Sequence, residues 1–322
     1  MRLPRLSPAG YRRITLAAAV AVAFIIVTGA AVRLTGSGLG CPDWPTCAGH
    51  RLVGATSFHR AVESTNRSIT GVVSVLVILA VLGSLRRQPR RRDLTWLSVG
   101  LVAGVVGQIV LGGVTVLFHL WPPLVMSHFT LSMAILADAV VLHHRAALPD
   151  QGAGDDAPPA PTALVVAPVL ARMGALVVAT AGLAVVLGTV VTGAGPHGGD
   201  EHVARLPFLV PDVARLHGTS VMILLALVVT TLWRLRRDGA PVALLRRGEL
   251  LVAVLVAQAA VGYVQYFTGV PVVLVEVHVA GATAVWAASL HFLLGFRVPV
   301  AATPPAVPAA PGDRGAALLP SP

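Results

Sequence analysis

The chain has 322 residues, of which 55% are hydrophobic and 12% charged, and its mean hydropathy is +0.79. These values exclude a soluble globular domain and place the chain among integral membrane proteins. The formal net charge of +10 rests on 24 basic residues, all arginine; because they cluster between apolar runs, they report membrane topology rather than a nucleic-acid footprint.

Eight runs are apolar over the roughly 20 residues that a helix needs to cross a bilayer. They are predicted near 14–32, 61–85, 94–118, 122–143, 173–192, 213–233, 249–268 and 273–295. The first follows Arg12-Arg13 as a signal peptide would, but it exceeds a signal core of about 7–15 residues, and its loss would break a four-plus-four organisation. It is expected to be uncleaved. The first loop contains GCPDWPTC, with the only cysteines, Cys41 and Cys47. On an oxidising side these form a disulfide clip, and the spacing also admits a metal or redox pair.

Arginines mark alternate loops. Arg2, Arg5, Arg12 and Arg13 precede the first span, and Arg86, Arg87, Arg90, Arg91 and Arg92 follow the second. Arg145 and Arg172 lie between the fourth and fifth spans; Arg234, Arg236, Arg237, Arg246 and Arg247 join the sixth to the seventh. The positive-inside rule makes these loops cytoplasmic and puts both termini inside.

The fold expected is all-α: an integral membrane protein of eight transmembrane helices in two four-helix bundles. Residues 1–145 form the N-terminal bundle and 171–297 the C-terminal bundle. Between them, 146–170 is a Pro-, Ala- and Asp-rich cytoplasmic linker, and 298–322 reads as a disordered tail. An even number of spans per half gives both halves the same orientation, hence a pseudo-twofold axis along the membrane normal.

The duplication is visible in one motif. QIVLGGVTVLFHLWPPLVMSH runs from Gln108 to His128, and QAAVGYVQYFTGVPVVLVEVH from Gln258 to His278. Each joins a Gln, a small-residue patch and an LV-x-x-H, and a polar ring kept inside apolar sequence is expected to have a function. Among the 11 histidines, His143, His144 and His291 lie near inner membrane edges and His50, His119, His197 and His202 in external loops, where solvated or interfacial roles are the default. His128, His217 and His278 instead lie near the external starts of the fourth, sixth and eighth spans.

His217 and His278 open the second and fourth helices of one bundle, and two facing imidazoles at matched depth can supply both axial ligands of a haem iron. Zinc fits less well, since neither a Cys nor a third His is near. In the first half, His128 matches His278, but Asn66 matches His217, and Glu63 stands where the second half has Ala214. Glu63 and Asn66, three apart, share a helix face that points to the haem space. His59 is an alternative ligand. A carboxylate there suits proton transfer; otherwise it is an ion-pair partner for Arg60 or Arg67. Arg33, Arg60, Arg67 and Arg215 are candidate partners of haem propionates, with interfacial snorkelling as the other role. Gln108 and Gln258 are expected to hydrogen-bond between helices, and no chemistry is assigned to Asp138 or Glu276.

Taken together, RLTGSGLGCPDWPTC, the E-x-x-N-R of Glu63, Asn66 and Arg67, QIVLGGVTV at 108–116, SH at 127–128, RLHG at 215–218 and VEVHVAGA at 276–282 resemble haem A synthase of the bacterial CtaA type over about 14–296. The resemblance implies an oxidoreductase of the bacterial plasma membrane that converts the C8 methyl of haem O to a formyl group, giving haem A for cytochrome c oxidase. It implies haem b as cofactor on His217 and His278, and a substrate-haem side carrying His128 and a catalytic Glu63. The Cys41–Cys47 pair is typical of part of the family. Haem O is then the substrate, and haem O synthase and the oxidase assembly machinery are the implied partners, with membrane lipid and no nucleic acid. The sequence departs from the commonest pattern at Asn66, where many members have His. The rival functions are a bis-His transmembrane cytochrome of the b type and a haem transporter or chaperone.

Overall fold

The computed structural model describes residues 5–41, 44–47, 57–151 and 158–300. Its helices are α1 (Pro8–Leu34), α2 (Phe58–Arg86), α3 (Arg92–Leu117), α4 (Pro122–Ala146), α5 (Pro168–Ala194), α6 (Val210–Arg237), α7 (Val242–Phe267) and α8 (Val272–Leu294). All eight are long and apolar enough to cross a membrane, and the chain is a multi-pass, all-α membrane protein. Each helix contains its predicted apolar run, apart from one residue at the ends of α3, α7 and α8. Several extend further because capping lies outside that run. Ser7 accepts the Gly10 N–H at 3.1 Å before α1, Ser57 accepts the Arg60 N–H before α2, and prolines occupy the first turns of α1, α4, α5 and α6. Proline there sacrifices only an N–H that has no helical partner.

Each half closes into a ring. In the first, α1 packs on α2 and α4, and α3 packs on α2 and α4; in the second, α5 packs on α6 and α8, and α7 packs on α6 and α8. The helices α2 and α4, and likewise α6 and α8, therefore stand diagonally across their bundles. The halves meet through α1 with α8, α4 with α5, and α4 with α8. Exchanging α1–α4 for α5–α8 leaves that set of contacts unchanged.

Burial follows from the solvent on each side. Tyr11, Val22, Ile26, Val73, Val77, Leu101 and Leu136 form the first core; Leu170, Val177, Leu224, Val228, Leu251 and Phe292 form the second. Leu16, Val20, Phe24, Val72, Val75 and Ile223 stay exposed on the outer faces, where lipid replaces water as solvent. Trp286 of α8 packs against both cores, and its indole N–H donates to the Met133 carbonyl of α4 at 2.8 Å. That bond crosses between the halves.

Two connecting segments make contacts that hydropathy does not foresee. Thr162–Leu164 (β1) pairs antiparallel with Arg297–Pro299 (β2), Ala163 facing Val298, so the linker and the start of the tail hold each other; residues 152–157 and 301–322 lie outside the described residues. The two segments meet where α5 begins and α8 ends. The loop arginines, expected as topology markers, include two that are buried. Arg87 and Arg91 are each 1% exposed. Arg87 grips both oxygens of Asp150 at 2.9 Å, and Arg91 pairs with Asp93 at 2.8 Å. Such bidentate ion pairing is what allows guanidinium groups to be buried.

Candidate functional site

In the second half the two expected ligands come together. His217 of α6 and His278 of α8 place their ring centroids 6.4 Å apart, with an interplanar angle of 76°. Each ring sits on a glycine of the neighbouring helix. A methyl group on Gly188 of α5 would lie 3.2 Å from Cε1 of His217, and one on Gly262 of α7 would lie 3.0 Å from Cε1 of His278. Glycine at these positions lets imidazole rings enter a packed bundle. Nδ1 of His217 lies 3.0 Å from the Ala184 carbonyl. A carbonyl only accepts, so Nδ1 carries the proton and the neutral ring keeps its lone pair on Nε2. The Gln258 amide nitrogen donates to the His278 carbonyl at 2.7 Å and lies 2.9 Å from Nδ1 of the same ring.

The first half repeats part of this. His128 of α4 rests on Gly112 of α3, whose added methyl would lie 3.1 Å from the ring. Gln108 donates to the His128 carbonyl at 2.8 Å and also bonds Ser132, as Gln258 holds the backbone of His278. Nδ1 of His128 is buried without a hydrogen-bond partner. Diagonally opposite, on α2, Asn66 accepts a 2.9 Å bond on Oδ1 from Thr28 of α1. Among the described residues no group of three or more His, Cys, Asp or Glu could hold a bare metal ion.

Glu63 is 6% exposed and is held on two sides. One oxygen accepts the Cys41 N–H at 2.6 Å; the other pairs with Arg67 one turn later at 2.6 Å. Arg67 directs all five of its N–H groups into this corner: to Glu63, and to the carbonyls of Cys41, Pro45 and Thr46. No donor of Arg67 remains for a propionate. The loop it grips is closed by a Cys41–Cys47 disulfide. Trp44 at its tip packs on Gly113, where a methyl group would collide with the indole. Because Gly113 follows the glycine beneath His128, the clipped loop roofs the first-half site.

The other candidates lie elsewhere. His59, in the first turn of α2, bonds Ser37 of the first loop through Nδ1 at 3.0 Å. Arg60 opens α2. Arg33 reaches across the interface between halves to the His197 carbonyl at 2.5 Å. The Arg215 side chain is 79% exposed and pairs with Asp212 at 3.4 Å. Asp138 packs against Gly100 of α3, and Glu276 keeps one buried oxygen without a hydrogen bond. Sequence reasoning missed Trp44 and Gly188. The W in CPDWPTC signalled the first, but nothing in a linear pattern linked Gly188 to a ring on the next helix.

Residues 12–290 match the family model described as cytochrome oxidase assembly protein. Among similar proteins, the heme A synthase of Shouchella clausii is 31% identical over 134 residues, covering 41% of this chain and 44% of that protein. The heme A synthases of Bacillus licheniformis, 29% identical over 124 residues, and Alkalihalophilus pseudofirmus, 28% over 124 residues, give similar coverage. The chain thus spans less than half the length of each relative it matches, with 41% and 42% of the latter two covered. The family model spans both bundles and the site in each, and the chain belongs to the COX15-CtaA family of cytochrome oxidase assembly proteins.

Proposed function

We propose that the protein is a haem A synthase, oxidising the C8 methyl of haem O to a formyl group by successive hydroxylation and loss of water. The second half would hold haem b permanently and the first half would take haem O as substrate. The pseudo-twofold relation of the halves, with domains at 1–145 and 171–297, belongs to the same proposal, as do a plasma-membrane location and cytoplasmic termini. The exchangeable helix contacts and the arginine-rich alternate loops support these.

The observation that carries the proposal is the spacing of His217 and His278. With an Fe–N bond of about 2 Å and a ring centre about 1 Å behind each nitrogen, collinear axial imidazoles have centroids about 6 Å apart. The observed 6.4 Å fits. His217 presents Nε2 because Ala184 fixes its proton on Nδ1. His278 would present Nε2 once its Nδ1 takes a proton and exchanges the Gln258 N–H now beside it for an acceptor, since the amide nitrogen, which also holds the His278 carbonyl, can only donate. Haem b, when bound, supplies one-electron redox chemistry beside the substrate half.

In the first half, His128 would hold the substrate iron, Asn66 would line its other face, and Glu63 would carry protons at the substrate edge. Arg67 supports the site by fixing Glu63 and the loop above it. Among the propionate candidates, Arg33 and Arg60 are retained; Arg67 is fully engaged, and Arg215 faces outward. Haem O synthase and the oxidase assembly machinery are the proposed partners.

The test is chromatography of pigments from cells that make haem O and express this chain. Appearance of haem A supports the synthase. Unchanged haem O beside a normal b-type spectrum would favour an electron carrier or a haem transporter and would overturn the proposal.

A further inference from the structure

The ring-on-glycine seat occurs three times, as His128 on Gly112, His217 on Gly188 and His278 on Gly262. A fourth seat is present without its ring. The buried positions Tyr11, Ala18, Val22 and Ala30 of α1 line up, at one constant offset, with Leu170, Val177, Ala181 and Thr189 of α5, all of them buried too. The same offset pairs Gly29 with Gly188. Yet where a methyl group on Gly188 would press on His217, one on Gly29 would meet nothing within 4 Å. The residue at the place of the missing imidazole is Asn66, and its oxygen is taken by Thr28, next to Gly29. What remains of that side chain is the amide Nδ2, which cannot ligate iron but can donate a hydrogen bond to something that does.

We infer that the α2-facing side of the first-half haem is an open coordination position, lined by Gly29 and Asn66, that binds a small exogenous ligand such as water, carbon monoxide or imidazole. This rests on the proposal that the first half binds haem through His128. It goes further in making the two halves differ in coordination chemistry as well as in occupancy. A second-half iron is closed by two imidazoles; a first-half iron is closed on one side only. The empty seat also gives a small ligand room, because a histidine ring is far larger than the molecules that would replace it.

The test is carbon monoxide binding to purified full-length protein loaded with haem b at both sites and reduced with dithionite. The expected result is two haems per chain, of which half bind carbon monoxide, and a high-spin ferric component before reduction that imidazole converts to low spin. N66H should fill the seat. It should abolish both carbon monoxide binding and the high-spin component while leaving haem content unchanged. N66L, which cannot ligate, should keep both, and so separates ligation from any packing defect. Two haems per chain that are both low-spin and inert to carbon monoxide in the unmodified protein would overturn the open position while leaving the haem reading intact. A single haem per chain would overturn both.

Discussion

At the scale of the residue, the balance between chemistry and architecture is sharpest at Glu63. Its carboxylate binds the Cys41 N–H and Arg67, so it docks the roof loop whatever else it does. Two substitutions separate these roles. Glu63→Gln keeps the side chain's length and one acceptor, so it can hold the Cys41 N–H or Arg67 but not both, and cannot carry the proton; it is expected to lower conversion of haem O by about 100-fold or more, as general acid–base groups typically contribute, while the disulfide loses less of its resistance to reductant than in Glu63→Ala. Glu63→Ala should lose both activity and that resistance. Full turnover in Glu63→Gln, measured by pigment chromatography, would leave Glu63 an architectural residue. A second test concerns Gly113. A methyl group there collides with Trp44, and overpacking of this kind costs about 1–3 kcal/mol. Gly113→Ala should therefore displace the loop and speed thiol labelling at Cys41 and Cys47 under mild reduction; an unchanged labelling rate would show that the indole does not hold the loop down. The histidines, Asn66 and Glu63 were legible in the sequence because an internal repeat supplied its own comparison. Trp44 and the arginine grip were not, because they depend on how a loop folds back over a helix, which no periodicity records.

At the scale of the element, the helices were legible to within about a turn or two at each end, since apolar length is what a bilayer demands. Their ends were not, because caps such as Ser7 and Ser57 are polar and fall outside any hydropathy run. Nor was the inner-end network of Arg87, Arg91, Asp93 and Asp150. Read as sequence, the arginine clusters mark topology and 146–170 is a linker, yet Asp150 within it neutralises a guanidinium that is 1% exposed. Removing one partner of a buried pair costs about 3–5 kcal/mol. Asp150→Ala is accordingly expected to lower thermal stability in detergent markedly, whereas Asp212→Ala, which breaks only the exposed pair with Arg215, should change it by no more than about 1 kcal/mol. Equal melting temperatures for the two variants would mean that the buried network is not a structural anchor.

At the scale of the whole molecule, one bundle plan is used twice and filled differently. The ring order of helices, the glutamines that hold the backbone of the matched histidines and the glycine seats recur in both halves. The second half completes its pair of imidazoles; the first replaces one with Asn66 and adds Glu63 under a disulfide-clipped roof. The central claim is that this difference divides labour, a resident haem on one side and a transformed haem on the other. It is tested most directly by comparing H128A and H278A in cells that make haem O, with pyridine haemochrome spectra of the purified proteins and chromatography of the extracted pigments. H278A is expected to lose tightly bound haem b. H128A is expected to retain haem b in full and to leave haem O unconverted. Equal loss of haem b from the two variants, or haem A formed at the normal level by H128A, would contradict the division of labour.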